Sequence, residues 1–136
     1  FHFVALLFLS SVFFCGCHHN PQGRIEVSGT VTLDGIPLQD GSISFEPAGS
    51  QTLKIVSGAQ IVNGKYKLPV QTSLVPGEYS VRIVSDKLTG KMIETSMGPA
   101  PERLDVVPPE FGSLSTQKIT VGETGKQIFD FDMKSK

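Results

Sequence analysis

The stretch from Val27 to Pro47 limits the fold more than any other part of this 136-residue chain. Val27, Val31 and Leu33 alternate with Ser28, Thr30 and Thr32, the period-2 pattern of a half-buried strand. Asp34-Gly35 followed by Pro37 is turn chemistry. Gly35 tolerates a positive φ, and Pro37 fixes its own φ and gives no ladder donor. Ile43 and Phe45 then alternate with Ser42, Ser44 and Glu46. The spacing predicts a first strand pair over residues 25–33 and 41–47.

The same grammar recurs downstream. A polar loop over residues 48–52 precedes a less regular stretch, 53–62, in which Gly58 marks an expected bulge. Asn63-Gly64 is the strongest hairpin signal, because a type I′ turn needs positive φ at both central residues. It joins residues 59–62 to 65–70, where Tyr66 and Leu68 share a face. Pro76-Gly77 opens a strand over 78–86, with Tyr79, Val81 and Ile83 on one side. Residues 117–121 and 127–133 read as a closing hairpin, with Phe129, Phe131 and Met133 alternating with Ile128, Asp130 and Asp132. The expected core is Val27, Val31, Leu33, Ile43, Phe45, Tyr66, Leu68, Tyr79, Val81, Ile83, Ile119, Val121, Phe129 and Phe131. Six to eight short strands, nominally seven, with turns every 8–12 residues, indicate an all-β Greek-key β-sandwich.

Residues 87–114 break this rhythm. They hold Met92, Met97, Gly98-Pro99-Ala100-Pro101 and Pro108-Pro109, with no period apart from a short strand near 91–95. A connection this long in a compact domain is functional or mobile, so it is the first place to look for binding. The alternative is a crossover between two sheets.

Composition excludes several functions. The net charge of −1 and a pI near 6.3 leave no electrostatic footprint for nucleic acid. Twelve basic and thirteen acidic residues are mixed without a run of one sign. All three histidines (His2, His18, His19) and both cysteines (Cys15, Cys17) precede residue 20.

The first fourteen residues are apolar except for His2, Ser10 and Ser11. That is short for a transmembrane helix, which needs about 20 apolar residues, and has the length of a signal-peptide core. No Met, Lys or Arg precedes it, so the true start is expected upstream. The segment ends Phe14-Cys15-Gly16-Cys17, which resembles the lipobox of bacterial lipoproteins. In that family a Cys after a small residue receives a diacylglycerol. Gly16 makes Cys17 the lipidation candidate, whereas Cys15 would follow bulky Phe14. Phe14 stands where the family usually has Leu. The resemblance implies an exported protein anchored in a membrane by its lipid, each buried CH₂ contributing about 0.8 kcal/mol. The alternatives are an ordinary cleaved signal peptide with incidental cysteines and a Cys15–Cys17 disulfide, whose single intervening residue makes a strained ring. His18-His19, with no further His or Cys after them, do not fill a tetrahedral zinc site. The organisation read is a signal peptide over 1–16, a lipidated linker over 17–25 and a domain over 26–134.

That domain carries a second likeness. Val27-Ser-Gly-Thr-Val-Thr-Leu-Asp-Gly-Ile-Pro-Leu38, Gly41-Ser-Ile-Ser-Phe-Glu-Pro47, Asn63-Gly-Lys-Tyr66 and Pro76-Gly-Glu-Tyr-Ser-Val-Arg-Ile83 resemble the carboxypeptidase regulatory-like domain. The later Val107-Pro-Pro-Glu-Phe-Gly-Ser-Leu-Ser-Thr116 and the closing Phe129-Asp-Phe-Asp-Met-Lys134 look like the C-terminal half of small bacterial lipoproteins built on it. The resemblance implies a transthyretin-like, immunoglobulin-like sandwich. It brings no assigned activity, cofactor or catalytic residue.

An enzyme is disfavoured on the residues themselves. A Ser–His or Cys–His nucleophile pair needs a His, and none follows residue 19. The transthyretin-like fold that the resemblance implies includes a purine-pathway hydrolase that uses histidines and a Tyr-Arg-Gly-Ser tail, where this chain ends Asp-Phe-Asp-Met-Lys-Ser-Lys. Asp130 and Asp132 share a strand face and read as solvated; a glycosidase pair would need a cleft, and a calcium site denser oxygen ligands. A carbohydrate-binding module is the alternative function, since sandwiches often bind sugars on exposed aromatics. Tyr66 and Tyr79 fall on core faces and there is no Trp, which leaves Phe111 as the expected exposed ring and candidate ligand contact. The reading favoured is a non-enzymatic, lipid-anchored envelope module with a protein or polysaccharide partner, and no cofactor or metal.

Overall fold

The computed structural model describes residues 22–135. β1 (Val27–Leu33) turns at Asp34-Gly35 into the two-residue β2 (Ile36–Pro37). Both turn residues have positive φ, 53° and 79°, as a type I′ turn requires. β2 pairs back on β1 through Leu33↔Ile36 and Thr32↔Pro37. The chain then leaves this sheet. β3 (Asp40–Pro47) does not pair with β1, which corrects the expected first strand pair. It pairs with β4 (Ser57–Val62) on one side and β6 (Gly77–Val84) on the other. The reason lies between the strands. Leu38 N–H still donates to the Val31 carbonyl at 3.0 Å, but the Gly64 carbonyl takes the Val31 N–H at 2.8 Å and the Gly64 N–H goes to the Leu38 carbonyl at 2.7 Å. The Asn63-Gly64 turn thus parts the two strands while the Leu38 side chain turns into the core.

Asn63 and Gly64, at φ 51° and 75°, form a second type I′ turn between β4 and β5 (Lys65–Leu68). β5 pairs with β1 from Val27↔Leu68 to Thr30↔Lys65, whereas β4 meets β5 at Val62↔Lys65 alone. The ladder thins there and the sheet folds over into two layers. β9 (Lys118–Val121) then extends the second layer by pairing antiparallel to β6. β10 (Gln127–Ile128) and β11 (Phe131–Met133) extend the first by pairing parallel to β1. The expected closing hairpin therefore does not form. Each of its strands is apolar on one face, and placing one on each layer closes both sides of the core. Counting β10 and β11 as one interrupted strand, and setting β2 aside, the sandwich has seven strands: β1, β3, β4, β5, β6, β9 and β10/β11.

Inner faces of both layers make one core. Phe45 of β3 meets Tyr66 of β5 across the layers at 6.0 Å between ring centroids, and Tyr66 meets Phe131 at 6.5 Å. Of the expected core residues, Leu33 and Phe129 are half-buried against it and the others are buried. Ile25, Leu38, Ile61, Leu74, Val107 and Met133 join them. Gly58 is not a bulge, since the β3–β4 register runs unbroken from Asp40↔Val62 to Phe45↔Ser57. A Cβ there would lie 2.7 Å from the Ile43 carbonyl oxygen, so glycine marks close backbone approach.

The long connection is neither irregular nor a crossover. β7 (Asp86–Thr95) and β8 (Gly98–Asp105) pair as an antiparallel ribbon over a Ser96-Met97 turn. Residues 106–117 then return along β6. Ile83 N–H donates to the Phe111 carbonyl at 2.8 Å and Val81 N–H to the Gln117 carbonyl at 2.9 Å, just before β9 takes over the same edge. Both ends of the connection thus belong to β6.

Candidate functional site

The ribbon is the part of the surface least explained by the sandwich. Every β7 residue is exposed. Leu88, Met92, Ile93, Met97 and Leu104 are large apolar residues in water, and Met97 at the turn is 97% exposed. From Met92 to Pro101, Glu94 is the sole charged residue. The base is held firmly. Val106 N–H donates to the Ser85 carbonyl at 3.1 Å, and the buried Ser85 hydroxyl donates to the Asp40 carbonyl at 2.8 Å. Asp86 and Asp105 are direct cross-strand partners, which like charges disfavour. Arg103 relieves the pair by donating to Asp86 Oδ1 at 2.9 Å, and Asp105 is occupied by the Val107 N–H at 2.9 Å.

The ribbon and the Arg24-Ile25 end of the domain lie at opposite poles. Ile25 bridges to Leu74, and the Arg24 guanidinium donates to the Ser73 carbonyl at 2.8 Å, fixing the chain's entry beside the start of β1. The ribbon leaves at the other end, where Ser85 and Lys87 share a depression of about 230 Å³ with Leu33, Asp34 and Asp40.

Phe111, the candidate ligand contact, is half-buried and packs against the core. Its expected exposure is corrected: the bonds from its backbone to β6 and Pro108 draw the ring inward. Among the described residues the rings of Phe111 and Phe129 are half-buried and the other aromatic side chains are buried. Cys17, the lipidation candidate, and His18-His19 lie outside the described residues. Among the described residues no group of three or more His, Cys, Asp or Glu could hold a metal ion.

Asp130 and Asp132 do face solvent, but they also bond to β1. A regular parallel ladder would follow the Asp34 N–H to Met133 carbonyl bond at 2.8 Å and send Thr30 N–H to the Phe129 carbonyl. Instead the Phe129 carbonyl accepts from the Tyr66 hydroxyl at 2.7 Å. Thr30 N–H is taken by Asp130 Oδ1 at 2.8 Å, with the Thr30 hydroxyl beside it at 3.0 Å. Two residues on, the Thr32 hydroxyl donates to Asp132 at 2.7 Å. At the end, Ser135 donates to Asp34 from both its backbone N–H, at 2.8 Å, and its hydroxyl. The Ser135 bonds hold the Asp34 carboxyl below its ordinary value, and the Thr32 bond does the same for Asp132. Burial, reinforced by the Asp130 charge, pushes the Tyr66 phenol well up. This clasp gives the paired aspartates a structural task that strand periodicity does not reveal.

A shallow trough of about 570 Å³ runs over the outer faces of β1 and β5, between Lys65, Lys67, Val62, Ile128 and Asp130. Its one ring, Tyr66, is 3% exposed and already bonded, so that ring offers the trough no stacking face. No protein-family model matches the chain, and no curated protein matches it.

Proposed function

We propose that this chain is a lipid-anchored, non-enzymatic module of the cell envelope whose working element is the β7–β8 ribbon. One observation carries the interaction reading: a firmly based ribbon that holds apolar side chains in water at the pole away from Arg24 and Ile25. Contiguous exposed apolar surface on a soluble domain marks an interaction site more often than a neutral surface. The anchor half rests on the resemblance of Phe14-Cys-Gly-Cys17 to a lipobox. Together they describe a tether at one pole and a contact surface at the other.

Two experiments test it. Cys17→Ala abolishes radiolabelled-lipid incorporation and membrane retention; unchanged labelling refutes that site. A photo-cross-linking residue in place of Met97 gives adducts in intact envelopes, and none when placed at Glu123 in the loop before β10. Equal labelling at both positions, or none at Met97, removes the ribbon from the reading. Hydrolysis of an envelope substrate that is lost in Asp130→Ala while the fold persists overturns the non-enzymatic assignment.

A further inference from the structure

We infer that the outer edge of β7 is an assembly edge, and that its occupant is β7 of a second copy of this chain. The inference rests on the interaction-module reading and names its partner. It starts from the two prolines of β8. The register Thr95↔Gly98 closes a two-residue turn, which makes that pair hydrogen-bonded. Antiparallel pairs alternate, so Ile93↔Ala100 is also hydrogen-bonded, while Glu94↔Pro99 and Met92↔Pro101 are not. Pro99 and Pro101 therefore turn their nitrogens to the free edge of β8, where an incoming strand finds no donor. On the other edge, Met92 and Glu94 turn intact N–H and C=O groups outward. The ribbon has one blunted edge and one open edge.

A second β7 fits the open edge. Antiparallel pairing about a two-fold axis at Ile93 sets Met92 opposite Glu94 of the second copy, and each such pair exchanges two backbone bonds. Ile93, 43% exposed in one copy, meets its own counterpart. Lys91 faces Thr95, so no like charges are directly opposed. The net charge of −1 on each chain adds little repulsion. Gly90, at φ 83°, lies in an irregularity of register between Leu88 and Met92 that bounds the usable edge at residues 91–95. Two ribbons of two strands each become one sheet, which removes the marginal stability of a lone two-stranded ribbon. Both outer edges of that sheet are proline-blunted β8 strands, so growth stops at two copies instead of running on into a fibre.

The test is disulfide trapping in the full chain bearing Cys15→Ser and Cys17→Ser, extracted in detergent and run without reductant. Ile93 lies on the two-fold in a non-hydrogen-bonded pair, where Cα atoms approach to about 4.5 Å, within disulfide range. Ile93→Cys is expected to give about tenfold more covalent dimer than Leu104→Cys on the blunted edge, since only the former meets that geometry. Adding Glu94→Pro to Ile93→Cys removes an outward donor without costing a ribbon bond, and lowers the yield to the Leu104→Cys level. Sedimentation of the chain without added cysteines then shows a dimer that Glu94→Pro converts to a monomer. Equal trapping at residues 93 and 104, or a monomer at every concentration, overturns the inference. A monomer whose Met97 position still cross-links to another envelope component overturns the dimer and leaves the interaction module standing. A monomer with no adduct at Met97 ends both.

Discussion

β6 and β7 are consecutive strands of similar length, separated by Ser85 alone, and they have opposite fates. β6 buries Tyr79, Val81 and Ile83 on one face and is paired on both sides. β7 buries nothing and is paired on one side. The contrast separates two things that strand patterns usually confound. Period-2 alternation records which face is buried, not whether the backbone is extended. Where both faces see water the pattern fades, although the ladder persists.

The sharpest way to probe that contrast is at the crowded end of the sandwich. A Cβ on Gly29 would lie 1.8 Å from the Phe129 carbonyl oxygen, a backbone atom held by Tyr66. Gly29→Ala is expected to cost about 3 kcal/mol or more, read as a lowered midpoint of urea unfolding. Gly90→Ala in the ribbon meets nothing within 4 Å and shows only the lesser strain of its positive φ.

Tyr66→Phe comes next. It leaves the Phe129 carbonyl without its donor and costs about 1–3 kcal/mol in the same assay. The variant also carries a pH signature. The phenol's folded value is raised above its ordinary 10.0, so its contribution is full below pH 10 and is lost as pH climbs through the higher folded value. Wild-type stability should fall on that alkaline limb, and Tyr66→Phe should flatten it. Tyr79, also pushed up mainly by burial, keeps part of the slope.

Asp130→Ala is smaller, about 1 kcal/mol, because solvent can reach the released Thr30 N–H. Its readout is local: faster amide exchange at Thr30 and along residues 131–133, with β6 unchanged. Acid acts on the neighbouring bonds. Asp34 and Asp132 titrate below their ordinary 3.8, so their contribution is present above that pH and is lost as pH falls through the lower folded values. The end of β11 should loosen there before the core does. The smallest effect belongs to the ribbon. Met97→Ser should move the unfolding midpoint by no more than about 0.5 kcal/mol, since an exposed side chain leaves no cavity. A large loss there would mean that the ribbon is packed on something after all.

The sequence revealed the sandwich wherever one face is dry. Tyr66 and Leu68, or Tyr79, Val81 and Ile83, announce both strand and core by alternation, and Asn63-Gly64 announces its turn. Pairing partners were less legible. Nothing local to residues 127–133 says that they will run parallel to β1 instead of folding back on β9, because that choice depends on which edges of the core remain open. Gly29 looks like any strand glycine until Phe129 is laid against it. The ribbon was hidden because Pro99 and Pro101 read as loop residues, although at an outward edge they fit a strand. Phe111, the one ring expected in water, was drawn inward by backbone bonds that its own neighbours make.

The parallel pairing of β1 with β10 and β11 has a mechanical consequence. β1 begins at Val27 at one end of this pair and β11 ends at Met133 at the other. The two exits, the chain running into β1 and the chain running out of β11, therefore face opposite ways along one pair of strands. β1 has seven residues, about 23 Å at about 3.3 Å each. A tension applied between those exits slides the two strands past each other and loads their bonds in shear, all at once. The β7–β8 ribbon, peeled from its base, would instead yield bond by bond. Held at one terminus and tugged at the other, the molecule resists as a clamp, and the Asp130, Asp132 and Asp34 bonds lie along the line of force.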